Sequence, residues 1–262
     1  LTWQQHSYTL ITIEYHINIG GRVVSTVRNV YNGLDELTDF LPADLLNEIL
    51  DILNSDLNWT KHEVSGRTEL KLASYTSCTV SNIENFLKQR NLITEDEFVS
   101  SANLWRDDSK KVDYDSPFFI PLHIDPYKKV YKSIQLYLDD SKNFGSVWFN
   151  TDMYHKFYNV LDDAVLIGTN IPDSYAVYVN DKMYKHNMIK GKSIKYGKNR
   201  GYMLTNSLTN PLPHAVQMMR DNYNNRNSLY IIIESNDYLT WKVNNNIGVP
   251  IGGFRHDKDL PD

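Results

Sequence analysis

The sequence predicts a mainly β protein with packed α-helices, and three observations carry the prediction. Short apolar and β-branched runs separated by turn residues crowd the chain after Pro117: residues 118–124, 131–138, 146–150, 164–168, 175–179, 200–205, 213–218 and 228–234. Runs of this length and spacing suggest a sandwich or a jelly-roll barrel, and the scarcity of helical crossovers between them favours antiparallel pairing. Near the N-terminus, residues 8–19 alternate as a strand does. The stretches 34–54 and 80–90 instead space their apolar residues as helices do.

Taken in order, Ile11, Ile13, Tyr15, Ile17 and Ile19 would share one strand face. Gly20-Gly21 then supplies the positive φ of a tight turn into a second run, Arg22 to Val30, which reads as a hairpin. Residues 34–54 read as a helix with Pro42 near a start and an apolar stripe of Leu45, Leu46, Ile49, Leu50, Ile52 and Leu53. A second helix is expected around 80–90, with Ser81 as N-cap ahead of Ile83, Phe86 and Leu87. No repeat and no linker rich in Pro, Gly or Ser breaks the chain, so 1–262 reads as one domain. Within it, 1–115 is expected to form a hairpin and helices supporting a barrel, 116–235 the barrel, and 236–262 a C-terminal extension.

Composition narrows the function classes. The 262 residues are 41% hydrophobic and carry a net charge of -5, enough for a sizeable core and without a broad basic footprint. Nucleic-acid binding is therefore disfavoured. The single cysteine, Cys78, forms no internal disulfide and reads as a small, partly buried residue in a reducing, cytoplasmic compartment. No apolar stretch reaches the roughly 18 residues of a membrane span, and no signal-peptide layout is visible. The start at Leu1 fits removal of a leader or tag. Oligomeric state is not legible.

The residues with chemistry begin at His123-Ile124-Asp125, at the end of the apolar run FFIPLHID. In a strand, positions i and i+2 project to one side, so an imidazole and a carboxylate can reach one point. A chance His-x-Asp is common, but His214 in LPHAV opens another strand run. Two imidazoles and one carboxylate on neighbouring strands make the facial triad of a non-haem iron(II) site, which leaves three positions open. Arg226-Asn227-Ser228 follows, at the start of the run LYIII. Arg226 and Ser228 would share a face, where a guanidinium can hold a carboxylate bidentately and the hydroxyl can add a donor.

The order His-x-Asp, SIQLYLDD, Gly-x-x-x-Phe, His-x-Val and Arg-x-Ser resembles the 2-oxoglutarate/iron(II) dioxygenases, and within them the prolyl-hydroxylase-like branch with its short bacterial and phage members. The matching stretch runs from about Pro117 to Ile233. The resemblance implies a double-stranded β-helix, a cupin-like jelly roll, carrying the metal and co-substrate site. It implies that His123, Asp125 and His214 bind Fe(II), that Arg226 holds the distal carboxylate of 2-oxoglutarate with help from Ser228, and that the Tyr137 hydroxyl supports it. Gly145 and Phe149 match a turn and strand of the family; Ser146 stands where a second glycine is frequent. The implied reaction takes O2 and 2-oxoglutarate, releases succinate and CO2, and hydroxylates a protein side chain, prolyl included, or a small molecule, with ascorbate as a stimulant. Asp125 argues against a halogenating variant, which lacks the carboxylate.

Other residues have plainer readings. Arg220 competes with Arg226 but lies in a polar, loop-like run, and Lys128, Lys129 and Lys132 read as a solvated strand edge. His155, His186 and His256 read as exposed loop residues, while Tyr154, Tyr158, Tyr175 and Tyr178 are candidates to line a substrate pocket. The glycosylation sequon at Asn58-Trp59-Thr60 reads as chance. The segment from about Thr151 to Asn199 is longer and more polar than the family pattern. Against the enzyme stands a catalytically silent jelly roll that binds or builds a larger, viral-type assembly. A nucleic-acid demethylase ranks last, because no second arginine follows Arg226 on its strand.

Overall fold

The computed structural model describes residues 14–19, 22–61, 67–107, 118–123, 131–140, 147–150, 191–205, 212, 214–217 and 226–244. Strands β1 (Glu14–Ile19) and β2 (Arg22–Tyr31) pair antiparallel with Ile19 opposite Arg22, the spacing of the expected two-residue hairpin. Gly20 and Gly21 themselves, and residues 8–13, lie outside the described residues. There follow β3 (Leu34–Thr38), helix α1 (Ala43–Asn54), β4 (Thr60–Lys61), β5 (Arg67–Lys71) and a 3-10 turn, Leu72–Ser74. Helix α2 (Ser77–Gln89) precedes β6 (Glu97–Asp107), β7 (Phe118–His123), β8 (Lys132–Tyr137) and β9 (Val147–Asn150). The last elements are β10 (Gly191–Ile194), β11 (Arg200–Thr205), β12 (His214–Gln217), β13 (Arg226–Ser235) and helix α3 (Asn236–Asn244).

The strands form two sheets, one ordered β1-β2-β3-β11-β8-β13-β6-β5-β4 and the other β10-β9-β12-β7. Every described ladder is antiparallel, as expected. Set side by side, the runs β11-β8-β13-β6 and β10-β9-β12-β7 place consecutive strands at matching positions. Ile194 of β10 packs with Tyr137, Tyr202 and Leu204 of the large sheet, which brings the two sheets together.

The two faces of the large sheet differ in chemistry. On one face Leu104, Ile134, Leu136, Met203, Leu229, Ile231 and Ile233 join the buried side of α1 and α2 (Leu45, Leu46, Ile49, Leu53, Ile83, Leu87) in the main apolar core. Burial of each such side chain contributes about 1.5–3 kcal/mol. The opposite face carries Asp107, Gln135, Tyr137, Tyr202, Arg226 and Ser228, all buried. Cross-strand register assigns these polar residues to one side: Tyr137 pairs with Ser228, Gln135 with Tyr202, and Arg226 with Asp107.

Several expectations are corrected. Residues 34–38 form a strand, not the start of a helix. Leu34 and Leu37 are both fully buried, Leu34 on the small-sheet side and Leu37 in the main core, so a strand covered on both faces imitates helical spacing. The second helix starts earlier than expected: Thr76 is its N-cap, accepting from the Thr79 amide at 3.3 Å, while Ser81 lies inside it and donates to the Ser77 carbonyl at 3.0 Å. Cys78 is exposed, because α2 buries Thr79, Ile83 and Leu87 instead. Lys132 is not a solvated edge residue; it pairs with the buried Glu97 at 2.6 Å. Strand β6, which precedes the expected start of the barrel at 116, runs between β13 and β5 in the large sheet.

The C-terminal region opens with α3, capped by Ser235, whose hydroxyl accepts from the Tyr238 amide at 3.1 Å. Lys242 on α3 is buried against Glu234 at 2.7 Å. No helix of the described residues is long and apolar enough to cross a membrane.

Candidate functional site

The site is built where β6, β13, β8 and β11 present their polar face. Arg226 opens β13 and is 1% exposed; its Nε donates to Asp107 Oδ2 at 3.0 Å. Asp107 closes β6 and also takes Arg67 Nε on its other oxygen at 2.6 Å. Arg67, on β5, in turn stacks on Trp105, with its guanidinium carbon 3.8 Å from the ring centroid. Burial alone would push the Asp107 carboxyl up, but the two guanidiniums outweigh it and hold it below the usual carboxylate range. Burial would likewise weaken the charge on Arg226, and Asp107 more than restores it.

This arrangement has a pH signature. The unfolded chain takes up a proton at Asp107 near the ordinary carboxylate pKa of about 3.9, while the folded chain resists it. The unfolded state thus binds more protons in that window, and the stabilisation from Asp107 is complete above it and lost as pH falls toward the depressed folded value. Denaturation midpoints measured from pH 6 downward should fall more steeply in the wild type than in Asp107→Asn once pH passes below about 4.

Beside the ion pair lies Tyr137, fully buried, with its ring 5.8 Å from the Arg226 guanidinium carbon. Burial pushes its phenol up to about 12, so it stays protonated and is a donor at neutral pH. Its hydroxyl has no hydrogen-bond partner among the described residues. A buried hydroxyl left so costs about 1–3 kcal/mol, which a bound acceptor would offset. Ser228 sits directly across from Tyr137 and is fully buried. Its Oγ accepts from Gln135 Nε2 at 3.4 Å, and Gln135 Oε1 accepts from the Tyr202 hydroxyl at 2.7 Å. With Gln135 donating, the serine proton is left to point at a further acceptor.

The two expected histidine ligands lie on the small sheet. His214 opens β12, is buried, and its ring lies edge-on to Tyr202 with centroids 6.4 Å apart. Its Nδ1 donates to the Leu212 carbonyl at 3.1 Å, the tautomer that makes Nε2 the lone-pair nitrogen. His123 ends β7 directly opposite His214 in the ladder. Opposed residues of an antiparallel pair lie about 4.5–5.5 Å apart at Cα. Phe149 of β9 flanks His214 on the other side.

Of the expected site residues, the described part of the protein thus sets Arg226, Ser228 and Tyr137 together, and the backbones of His123 and His214 side by side. Asp125 lies outside the described residues, as do Gly145, Ser146, Lys128, Lys129, Arg220, His155, His186, His256, the tyrosines 154, 158, 175 and 178, and the runs 164–168 and 175–179. No group of three His, Cys, Asp or Glu side chains that could hold a metal occurs among the described residues. Sequence reasoning missed Asp107, Arg67, Gln135 and Tyr202. Gln135 and Tyr202 sat in runs already read as strands; alternation alone sets Gln135 on the side of Tyr137, while Tyr202 needs the register of β11 against β8, and the two charged residues become visible only through the register of β5 and β6.

No protein-family model matches the sequence, and no curated protein matches it. Solved structures do. The crystal structure of HygX from Streptomyces hygroscopicus with nickel, 2-oxoglutarate and hygromycin B bound aligns at a TM-score of 0.50 and 9% identity, over 78% of this chain and 83% of that one. A Pseudomonas putida prolyl-4-hydroxylase aligns at a TM-score of 0.44 and 12% identity, over 78% and 92%. A 2OG-Fe(II) oxygenase family oxidoreductase from Burkholderia pseudomallei aligns at 0.45 and 12%, over 78% and 84%. The chain is a mostly antiparallel β protein with packed helices that shares its fold with HygX.

Proposed function

We propose that the protein is an iron(II)- and 2-oxoglutarate-dependent oxygenase, with a jelly-roll core in which His123, Asp125 and His214 hold the metal. The observation that carries this reading is the buried Arg226 guanidinium beside Tyr137 and Ser228, on a sheet face otherwise closed to water. A charged group and two hydroxyls at such a place fit one end of a dicarboxylate. The jelly-roll reading is supported by consecutive strands from β6 to β13 taking matching places in the two sheets. HygX, whose structure shares the fold, holds nickel and 2-oxoglutarate.

The residues present fit the implied groups. Imidazole and carboxylate donors suit iron(II), and the buried Tyr137 hydroxyl is a donor with an acceptor still to find. When bound, the metal and 2-oxoglutarate supply the oxidising chemistry, with O2 as oxidant and succinate and CO2 as products. The chain's own residues do the rest. Arg226 anchors the distal carboxylate, Ser228 and Tyr137 donate to it, and the Leu212 carbonyl fixes the His214 ring through Nδ1. The two sheets exclude water around this face, which strengthens each of these contacts. The outcome we propose is hydroxylation of a protein side chain, prolyl included, or of a small molecule.

Succinate release from 2-oxoglutarate, measured with Fe(II) and ascorbate, tests the reading. Wild-type protein should release succinate. His214→Ala should weaken metal binding by more than about 100-fold, beyond what loss of an outer-shell partner costs, and release none. Wild-type protein that neither binds the metal nor forms succinate would overturn the proposal. A product heavier by one oxygen atom, sought in host lysate by mass spectrometry against His123→Ala, would then identify the substrate.

A further inference from the structure

We propose that Asp107 is the positioning residue that sets the Arg226 guanidinium for the distal carboxylate of the co-substrate, a role that rests on the 2-oxoglutarate reading above. Arg67, Asp107 and Arg226 occupy opposed positions on three adjacent strands, β5, β6 and β13, so one line of register runs through all three. Asp107 is 2% exposed and Arg226 is 1% exposed, so neither is positioned by solvent.

The geometry of the contacts decides the role. Asp107 Oδ2 engages Arg226 through Nε, not through an Nη pair. A carboxylate gripping both Nη atoms would compete for the fork that recognises carboxylates; Asp107, gripping Nε, fixes the guanidinium plane without itself taking the Nη edge. Arg67 keeps Asp107 in this pose. Its Nε takes Oδ1 at 2.6 Å, and its Nη2 reaches Oδ2 at 3.4 Å. The carboxylate is thereby pinned against rotating toward the rest of Arg226. Arg67 is itself held by stacking on Trp105, whose Nε1 donates to Glu69 at 3.2 Å. The contacts from Glu69 through Trp105, Arg67 and Asp107 thus lead to Arg226 at the proposed carboxylate seat. The role assigned to Asp107 is exercised through its contact with Arg226.

The test separates positioning from plain stability by using two 2-oxo acids. With Mn(II)-loaded protein, calorimetric titration measures the affinity of 2-oxoglutarate and of 2-oxobutyrate, which has the same chelating head but no distal carboxylate. In Asp107→Asn, 2-oxoglutarate should bind at least about tenfold more weakly, the size of one misaligned charge-assisted hydrogen bond, while 2-oxobutyrate changes by less than about twofold. With Fe(II), the KM for 2-oxoglutarate should rise while kcat at saturation holds, and Asp107→Glu should recover part of the loss. Should Asp107→Asn fail to fold, Arg67→Gln carries the test, since Arg67 is partly exposed and its loss unpins Asp107; the same acid-selective weakening is expected. Unchanged 2-oxoglutarate affinity, or equal weakening of both acids, would overturn the role of Asp107 while leaving the oxygenase reading in place. Wild-type protein that binds neither acid would instead overturn that reading and this role with it.

Discussion

Arg226→Met is expected to weaken 2-oxoglutarate binding by about 30-fold or more, because truncating one partner of a buried, hydrogen-bonded charge pair costs about 2–5 kcal/mol. The side chain is 1% exposed, so water is a poor stand-in for the lost guanidinium. Methionine keeps much of the volume and none of the charge, and Asp107 retains Arg67 as a partner, which protects the fold. Arg226→Lys should fall between, since an ammonium supplies charge without the planar fork. Calorimetry of the metal-loaded variants gives the affinities, and 2-oxobutyrate should bind all three proteins alike. Equal affinity of wild type and Arg226→Met for 2-oxoglutarate would remove the central support of the proposed function.

The second large effect concerns the fold. Gly201→Ala should destabilise the protein by more than about 4 kcal/mol, well above an ordinary substitution. A Cβ at position 201 would lie 1.9 Å from the Gln135 carbonyl oxygen and 2.9 Å from the Leu136 Cα, both backbone atoms of the adjacent strand. Neither can turn aside, so β11 and β8 would have to separate in the middle of the large sheet. Gly197→Ala is the control: there the added carbon meets the flexible Arg200 side chain at 3.0 Å, and a change under about 1 kcal/mol is expected. Thermal unfolding of the two variants measures both. A small effect at Gly201 would mean that the β8–β11 ladder is looser than its register indicates.

Much of this was legible in the sequence where one face of a strand is apolar and the other distinct. The runs at 118–124, 131–138, 200–205, 213–218 and 228–234 correspond to β7, β8, β11, β12 and β13. Arg226, Ser228 and Tyr137 were legible together because strand alternation fixes their side once the motif order is seen. Strand β6 was not. Its sequence EFVSSANLWRD has no clean period, since the register of β6 against β13 shifts between Val99 and Ser101, so that Val99 joins the same core as Ala102 and Leu104 although its parity is opposite. Losing β6 meant losing Asp107, and with it the partner of Arg226. Helix α1 was read too long for the related reason that β3 is covered on both faces. Thr76 outranked Ser81 as a cap because Thr76 takes the extended backbone of an N-cap soon after the 3-10 turn Leu72–Ser74, while Ser81 lies within the helix.

The unlike faces of the large sheet have a practical consequence. Along β13, Leu229, Ile231 and Ile233 answer to the helices, while Arg226 and Ser228 answer to the proposed carboxylate seat. Neighbouring residues on one strand therefore serve separate constraints, and the sheet acts as a partition between them. An engineer can repack the helix side for heat tolerance, or recast the opposite side toward a different oxo acid, with little need to retune one against the other.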